Sequence, residues 1–563
     1  MVTILIFDNI CRRWHNFYGN ALMRRGHVCP IGTVIGFFRE RFLSMTDLSN
    51  VSVAYYPKRH LAPVPVPGRH KWQNDGQNYV YDRKARLWRT WALGNPEWTP
   101  NSGFPTTSWI SYSGPTIDAM TSDDDREPSG KDVFIDKNSS LSGTYWSGSV
   151  WVDEEDRLGR GRGSVYYYIS GPAPVLQAIY LLVAKRLGEV PYNLGICCSP
   201  DLVPESVRDE GRDFRDCRVF WDDDNSQLVM ATTIGTRFAF FRSVNGTSWD
   251  FLSSMEGPGP LVECPNVMKL KIVDDHGNTL GHKWAILGAV QGDYPGGTQS
   301  HECCVAWLGA WDGTQFIPDE QAKAIPLDYG PDSYATVAGR NGRSTYVGCW
   351  LGNWDYSLLP SPYKGFQNIQ SYPRACWIQT DYSGRQKVYT FPVEKADGIT
   401  GIGGPRQTIG GEGNPDFASD EVETSDCYRL DVVLDQVDGH WPEEVRISVN
   451  KGRVEGTEYS TDLIIYRSGQ ITFDRTRAGI LYPGYPNEPP EGWGKTYSIP
   501  AGLKSNATSN MIITILIDTS SLEVFINGGQ TSLTGLVFPP KGCTGVNITS
   551  TQPVHVSVST SDY

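Results

Sequence analysis

At 563 residues the chain is longer than one simple hydrophobic core organises, so two domains are expected. A net charge of −13, with no stripe of clustered Lys and Arg in its body, excludes nucleic acid as the main partner. No apolar run is long enough to span a bilayer, and 59 Gly and 37 Pro beside 18 Trp, 28 Tyr and 20 Phe favour short strands joined by tight turns.

Residues 1–55 read as an N-terminal extension, locally basic at Arg12, Arg13, Arg24, Arg25, Arg39 and Arg41. The apolar run Met1–Phe7 has no basic flank before it and ends at Asp8, which makes a poor secretion signal. The 12 Cys include the pairs Cys197-Cys198 and Cys303-Cys304 but no Cys-x-x-Cys, a pattern of reduced thiols. Sequons such as Asn245-Gly-Thr247 point the other way. The expectation is a cytoplasmic protein, with secretion as the alternative.

Over residues 56–395 short apolar-aromatic runs recur, among them Ser149–Val152, Ser164–Ile169, Leu228–Ala231, Arg237–Phe241, Lys283–Leu287 and Ser344–Gly348. Asp223-Asp-Asn225 and Asp312-Gly313 supply turns between them. Val175–Leu187 is the best candidate for an amphipathic helix. Repetition of this kind predicts a β-propeller, whose ligands bind where the innermost strands converge. Residues 396–424 are rich in Gly and Pro and read as a linker. Residues 425–563 alternate with period two, as in Tyr428–Leu434, Glu444–Val449, Asp462–Tyr466, Met511–Ile517 and Leu522–Ile526, which predicts a β-sandwich. Asn527-Gly528 after the last run is a hairpin signal. The fold class is therefore all-β.

Three acids stand among aromatic, apolar or amide neighbours: Asp75 in His70–Asp75, Asp216 in Phe214–Trp221 and Glu263 in Val262–Asn266. Such neighbours desolvate a carboxyl and steer its pKa. Converging carboxyls are what glycosidic cleavage requires, one to attack and one to protonate the leaving oxygen. Taken singly, each acid is more often a solvated surface group. His301-Glu302-Cys303-Cys304 lacks the spacing of a closed metal site, the triplets Asp123–Asp125 and Asp222–Asp224 suit solvated turns better than calcium, and Gly401-x-Gly-Gly404 lacks the context of a phosphate cradle.

With those residues quoted, the chain resembles glycoside hydrolase family 32, the invertases, inulinases, levanases and fructosyltransferases. Trp72–Gln77, Arg215–Cys217 and Glu263–Pro265 resemble the family's three acidic signatures. Trp146–Val150, Leu327–Ala335, Trp350–Tyr356, Tyr372–Arg374, Leu522–Asn527 and Val537–Pro539 are similar to further segments, in family order. The resemblance implies a five-bladed propeller followed by a sandwich, and a retaining double displacement on a β-fructofuranoside. It gives Asp75 the nucleophile's position, Glu263 the acid/base's, and Asp216 that of the residue holding fructose hydroxyls. Asn74, Arg215, Trp146 and Ser147 are candidates for the rest of the pocket. Sucrose and fructooligosaccharides are the expected partners, without metal, organic cofactor or membrane, and with oligomeric state left open, a homodimer among the options.

The departures are Gln73, Gly76 and Gln77 around the nucleophile and Leu93 where the family usually carries a pocket Gln. Gly76 in place of Pro is expected to loosen the backbone aiming Asp75, and an apolar Leu93 to disfavour water. Fungal fructosyltransferases of the family look similar there. The leading expectation is therefore transfer of fructose to sucrose or fructan acceptors. A hydrolytic invertase or fructanase is the first alternative, and a non-catalytic sugar-binding propeller the second.

Overall fold

The structure, a computed structural model, describes residues 55–563 apart from 66–69, 101, 124–143, 174–176, 209–212, 258–260, 293–301, 320–323, 382–383, 394–403, 419–424, 480–492, 494–495 and 500–509. The extension expected over 1–55 lies outside these residues except for Tyr55, as do His301, Asp124, Asp125 and Gly401.

Five antiparallel four-stranded blades follow one another. Blade I is Lys71–Gly76 continued by Asn78–Asp82, then Leu87–Asn95, Ser108–Gly114 and Thr121–Ser122. Blade II is Gly148–Asp153, Ser164–Pro172, Gln177–Ala184 and Tyr192–Cys198. Blade III is Phe214–Asp222, Gln227–Ile234, Arg237–Ser243 and Asp250–Glu256. Blade IV is Leu261–Val273, Thr279–Gln291, Glu302–Trp311 and Phe316–Pro318. Blade V is Tyr334–Asn341, Ser344–Leu351, Arg374–Thr380 and Gln386–Pro392. The first strand of each blade touches the first strands of its neighbours, and Ala338 and Gly339 of blade V pair with Asn78 and Tyr79 of blade I to close the ring.

Blade II shows why such sequences make a propeller. In Ser164–Pro172 the odd residues Val165, Tyr167 and Ile169 enter the core shared with blade I, while Tyr166 and Tyr168 enter the core shared with blade III. A strand buried on both faces reads as an unbroken apolar run, with no alternation to betray its period. The same reason overturns the helix expected over Val175–Leu187, whose described part is the strand Gln177–Ala184. Ala178, Tyr180 and Leu182 face one core and Ile179, Leu181 and Val183 the other. Among the described residues there is no α-helix.

The C-terminal sandwich packs two six-stranded sheets around one apolar core. The stretch expected as a linker contributes to it: Gln407–Ile409 pairs with the strand Val554–Ser561, and Phe417–Ala418 with Gly545–Ser550, one edge strand for each sheet. Gly and Pro there mark turns between short strands. Asn527 and Gly528 have φ of 49° and 68°, the positive values that a hairpin turn of this kind demands, and Ile526 pairs with Thr531 across it.

Propeller and sandwich are joined by a buried ionic network. His60 Nδ1 lies 2.8 Å from Asp518 and Nε2 2.7 Å from Glu523, both carboxylates belonging to sandwich strands. Arg374 of blade V reaches Glu523 at 2.6 Å and Asp328 at 3.0 Å. Burial opposes the charge on His60, but the bonds to Asp518 and Glu523 outweigh it and raise the imidazole from 6.5 to about 9. Burial likewise opposes ionisation of Glu523, yet Arg374 and His60 bring it from 4.5 down to about 2.

His60, bound more tightly to its proton when folded, stabilises fully below its unfolded value and loses that contribution as pH rises through about 9. Glu523 contributes fully above 4.5 and loses it as pH falls through about 2. The network's share of stability is therefore full between pH 4.5 and 6.5 and declines on both sides, and thermal unfolding followed by calorimetry should show its alkaline decline in Tm as pH approaches 9. His60→Ala should lower stability by about 3–5 kcal/mol, because buried carboxylates lose a partner, and should flatten the alkaline decline. An unchanged alkaline decline in the variant would exclude His60 as its source.

Candidate active site

The first strands of blades III, IV and V break register at equivalent places, between Arg215 and Arg218, Glu263 and Asn266, and Tyr334 and Val337. In each break the second residue is left-handed: Asp216 has φ of 60°, and Cys264 and Ala335 each 52°. Bulges of this kind bend a strand and re-aim its side chains, and non-glycine residues adopt that conformation only where surroundings enforce it. The first strand of blade I is also irregular, between Gln73 and Gly76. All four breaks sit at the same mouth of the central channel, and three of them carry the acids.

The residues that open the three aligned bulges touch one another. Arg215 donates to Glu263 Oε1 from Nε at 3.0 Å and from an Nη at 2.8 Å, and the Tyr334 hydroxyl donates to Glu263 Oε2. Arg215 also bonds Asp213. One carboxylate is thus held by a blade on either side. At the second bulge position, Cys264 Sγ lies 3.7 Å from Asp216 Oδ2.

Asp75 accepts from Ser147 Oγ at 2.6 Å and from Asn74 Nδ2 at 3.1 Å. Asn74 is itself fixed by Trp72 Nε1 at 3.0 Å. Ser170 links blades II and III, donating to the Ser147 carbonyl at 2.5 Å and accepting from the Asp216 N–H at 2.8 Å. Asp75 and Glu263 remain partly exposed, whereas Asp216 is 2% exposed. Burial and then the charge of Glu263 raise Asp75, against the bonds from Ser147 and Asn74 that lower it. Burial and Glu263 push Asp216 up to about 7, with Arg215 opposing and Asp75 adding to the rise. Asp75 and Asp216 thus both lie within reach of the Glu263 charge, and Arg218 lowers each of them.

Below them Arg218 donates to the carbonyls of Gly148, Cys217 and Gly76, the last two at 3.1 and 3.3 Å, and to Asn266 Oδ1 at 3.2 Å. Asn266 Nδ2 in turn lies within 2.8–3.1 Å of the carbonyls of Cys264, Leu287 and Thr336. Two side chains so join the first strands of all five blades.

The other expected pocket residues fare differently. Trp146 is half-buried beside Ser147, its backbone bonded to Ser170 and to the indole of Trp109. Gln77 is fully buried with both ends of its amide engaged, Nε2 on the Asp75 carbonyl at 2.9 Å and Oε1 on the Gly148 N–H at 2.8 Å. It braces the backbone at Asp75, and its amide has no end turned to a ligand. Leu93 is 3% exposed and packs with Trp91, Trp109 and Tyr167 between blades I and II. Gly76 is not loose: its carbonyl is held by Arg218, and a Cβ there would meet Gln370 Oε1 at 2.9 Å and the Val337 side chain at 3.2 Å.

Tyr334, Arg218, Asn266 and Ser170 were not singled out by the sequence. Tyr334, Arg218 and Asn266 stand within segments quoted there, and only their contacts across blades show what they do. Glu302 is a further buried carboxyl nearby, accepting from the Trp354 N–H at 3.1 Å and from Gln291 at 3.3 Å, and burial raises it well above its ordinary value. Trp354 stacks between Trp72 and the exposed Phe104, with ring centroids 6.0 and 5.2 Å away. Aromatic faces beside coupled carboxyls suit sugar rings.

A propeller mouth that gathers partly desolvated carboxyls around an arginine and a phenol carries the equipment of glycosidic-bond cleavage. The chain belongs to glycoside hydrolase family 32. Residues 119–392 match the model of the glycosyl hydrolases family 32 N-terminal domain, and residues 408–561 match that of the family's C-terminal domain. Asp216 and Glu263 fall inside the first match and Asp75 before it. A levanbiose-producing levanase of Bacillus subtilis is 26% identical over 504 residues, covering 85% of this chain and 86% of its own. The extracellular exo-inulinase of Aspergillus niger is 27% identical, covering 73% of this chain and 79% of its own. Among solved structures, an exo-inulinase from Aspergillus awamori has a TM-score of 0.72 at 20% identity, covering 90% of this chain and 98% of its own.

Ser147→Ala removes a bond that lowers Asp75 and should therefore move the acid limb of the kcat/KM profile to higher pH. A profile that stays in place or moves to lower pH would show that Asp75 does not set this limb.

Proposed function

We propose that the protein hydrolyses terminal β-linked fructosyl units of fructan and sucrose through a covalent fructosyl-enzyme. The observation that carries this reading is the grip of Arg215 and Tyr334 on Glu263, beside an Asp75 oriented by Ser147 and Asn74. Asp75, ionised, attacks the anomeric C2 of fructose while Glu263 protonates the departing glycosidic oxygen. Glu263 then takes a proton from water, which attacks C2 and releases Asp75. Arg215 occupies Glu263 Oε1, so Oε2, bonded to Tyr334, is the oxygen that exchanges the proton. Asp216 holds fructose hydroxyls and balances the positive charge that develops on the ring.

Hydrolysis replaces the transfer reading for two reasons. Relatives at 26–28% identity carry hydrolytic names: levanase, exo-inulinase and invertase. The residues on which transfer rested, Gln77 and Leu93, are buried braces. A fructofuranosidase of Schwanniomyces occidentalis, similar in fold, has been solved complexed with fructosylnystose, which supports fructan as the substrate class.

Products from sucrose, inulin and levan test the reading. Sucrose should give glucose and fructose in equal amounts, and the polymers free fructose. Trisaccharide as the main product at high sucrose would instead establish transfer. Asp75→Asn should lose several orders of magnitude in kcat while sucrose still binds, and sucrose turnover surviving in Glu263→Ala would overturn its assignment. Tyr334→Phe should reduce kcat/KM about 10–100-fold, since one hydrogen bond to the proton-transferring group is lost.

A further inference from the structure

Arg218 and Asn266 line not only the floor of the carboxyl site but also the roof of a second space. On their far side the propeller channel widens into a cavity of about 350 Å³, reached from the opposite mouth. Its wall includes Trp151, Phe220, Trp221 and Trp284, all half-buried. Trp151 and Trp221 stack with centroids 6.4 Å apart, and Phe220 lies 5.5 Å from Trp284. Trp151 and Trp221 pack part of their surface against the core between blades II and III, and Phe220 and Trp284 against that between blades III and IV; the rest of each ring is open to the cavity, where rings with flat apolar faces fit.

The rim of this cavity is basic in a chain whose net charge is −13. Arg83, Lys269 and Arg340 line it. Lys271 lies two residues beyond Lys269 on the same strand, paired with His282, and Arg343 stands in the turn that follows Arg340. Among the described residues, Lys269, Lys271, Arg340 and Arg343 make no ion pair within 4 Å; Lys269 instead lies 5.8 Å from the Trp284 ring centroid. Two carboxylates face the group. Glu154 is 3.8 Å from Arg83, and Asp223, which acts on Arg340 from further away, is bonded to Arg157 at 3.1 Å. Five cations against two carboxylates leave an uncompensated positive field, focused by the low-dielectric walls of a concave site.

We propose that this far cavity binds a phosphorylated sugar, with the phosphate dianion between Lys269 and Arg340 and the sugar ring against the indoles of Trp151, Trp221 and Trp284. Lysine and arginine are the side chains suited to a phosphate, arginine through its planar fork. A sugar ring supplies the apolar faces, and the cavity has room for a ring with its phosphate. The site is separate from the carboxyl cluster and needs none of the three acids.

Calorimetric titration of the full-length protein, with tryptophan fluorescence as a second readout, tests this using glucose 6-phosphate, inorganic phosphate and glucose as probes. Glucose 6-phosphate should bind saturably and at least about tenfold more tightly than either part alone, more weakly as ionic strength rises. Lys269→Glu and Arg340→Glu should each weaken it at least about tenfold and leave basal sucrose hydrolysis unchanged. Trp284→Ala should narrow the gap between glucose 6-phosphate and inorganic phosphate. The proposal fails if glucose 6-phosphate does not saturate, if both charge reversals leave its affinity unchanged, or if sucrose displaces it competitively, which would put it in the carboxyl site. Inorganic phosphate binding as tightly as the sugar phosphate would overturn the role given to the indoles.

Discussion

Arg218 is the side chain on which the rest of this structure hangs. It is 3% exposed and spends its hydrogen bonds on carbonyls and one amide, drawn from the first strands of blades I, II, III and IV. Through Asn266 the link extends to Thr336 of blade V. A buried guanidinium bonded only to neutral acceptors would be a heavy desolvation penalty. The acids above offset part of it: burial and Glu263 raise Asp75 and Asp216, and Arg218 lowers both, after Ser147 and Asn74 at the first and Arg215 at the second. The charge that holds five strands together is also one of those that let the acids sit side by side. Scaffold and site are stabilised by one arrangement, and neither is separable from the other.

The bulges make a second point about economy of design. Blades III, IV and V each place a left-handed residue after a channel-facing one, which puts Arg215, Glu263 and Tyr334 in successive equivalent positions. Neighbouring blades are related by rotation about the channel, so equivalent positions are neighbours in space. Repeating one backbone irregularity with three different side chains yields a cation, a carboxyl and a phenol in contact. Geometry comes from the repeat and chemistry from the variation. The local strain of non-glycine residues at positive φ is sustained because the surrounding strands over-determine the conformation.

How much of this the sequence displayed follows from how local each feature is. The acids were legible because desolvating neighbours flank them in the chain itself. The sandwich was legible because each of its strands has one face in the core and alternates. Val175–Leu187 misled because a strand buried on both faces loses that alternation. Gly76, Gln77 and Leu93 misled for another reason: their chain positions bring them near the acids, but only the fold decides whether a side chain faces a pocket or a neighbouring blade. Gln77 turned to Gly148, a residue 71 positions away. Arg218 and Tyr334 could not be weighed beforehand because every partner that gives them meaning lies on another blade.

The sandwich contributes no acid to the site, yet it is not remote from it. Arg475 of the sandwich bonds Asp332, and Asp328 accepts from the Thr534 N–H and hydroxyl at 2.9 and 2.6 Å. Both acids lie in the segment that leads directly into Tyr334. Arg374, two strands out in the same blade, is anchored on Glu523, which His60 also grips. The start of blade V is thus pinned from the sandwich side immediately before the bulge that aims the phenol at Glu263. Asn266 holds this bulge from within the propeller at the Thr336 carbonyl, and the sandwich holds it from the other side, so loosening that pin frees the segment that enters Tyr334. A hydrogen bond to a proton-transferring carboxyl depends steeply on placement. A second domain that fixes two residues upstream of the donor is therefore part of how the propeller keeps its site in order.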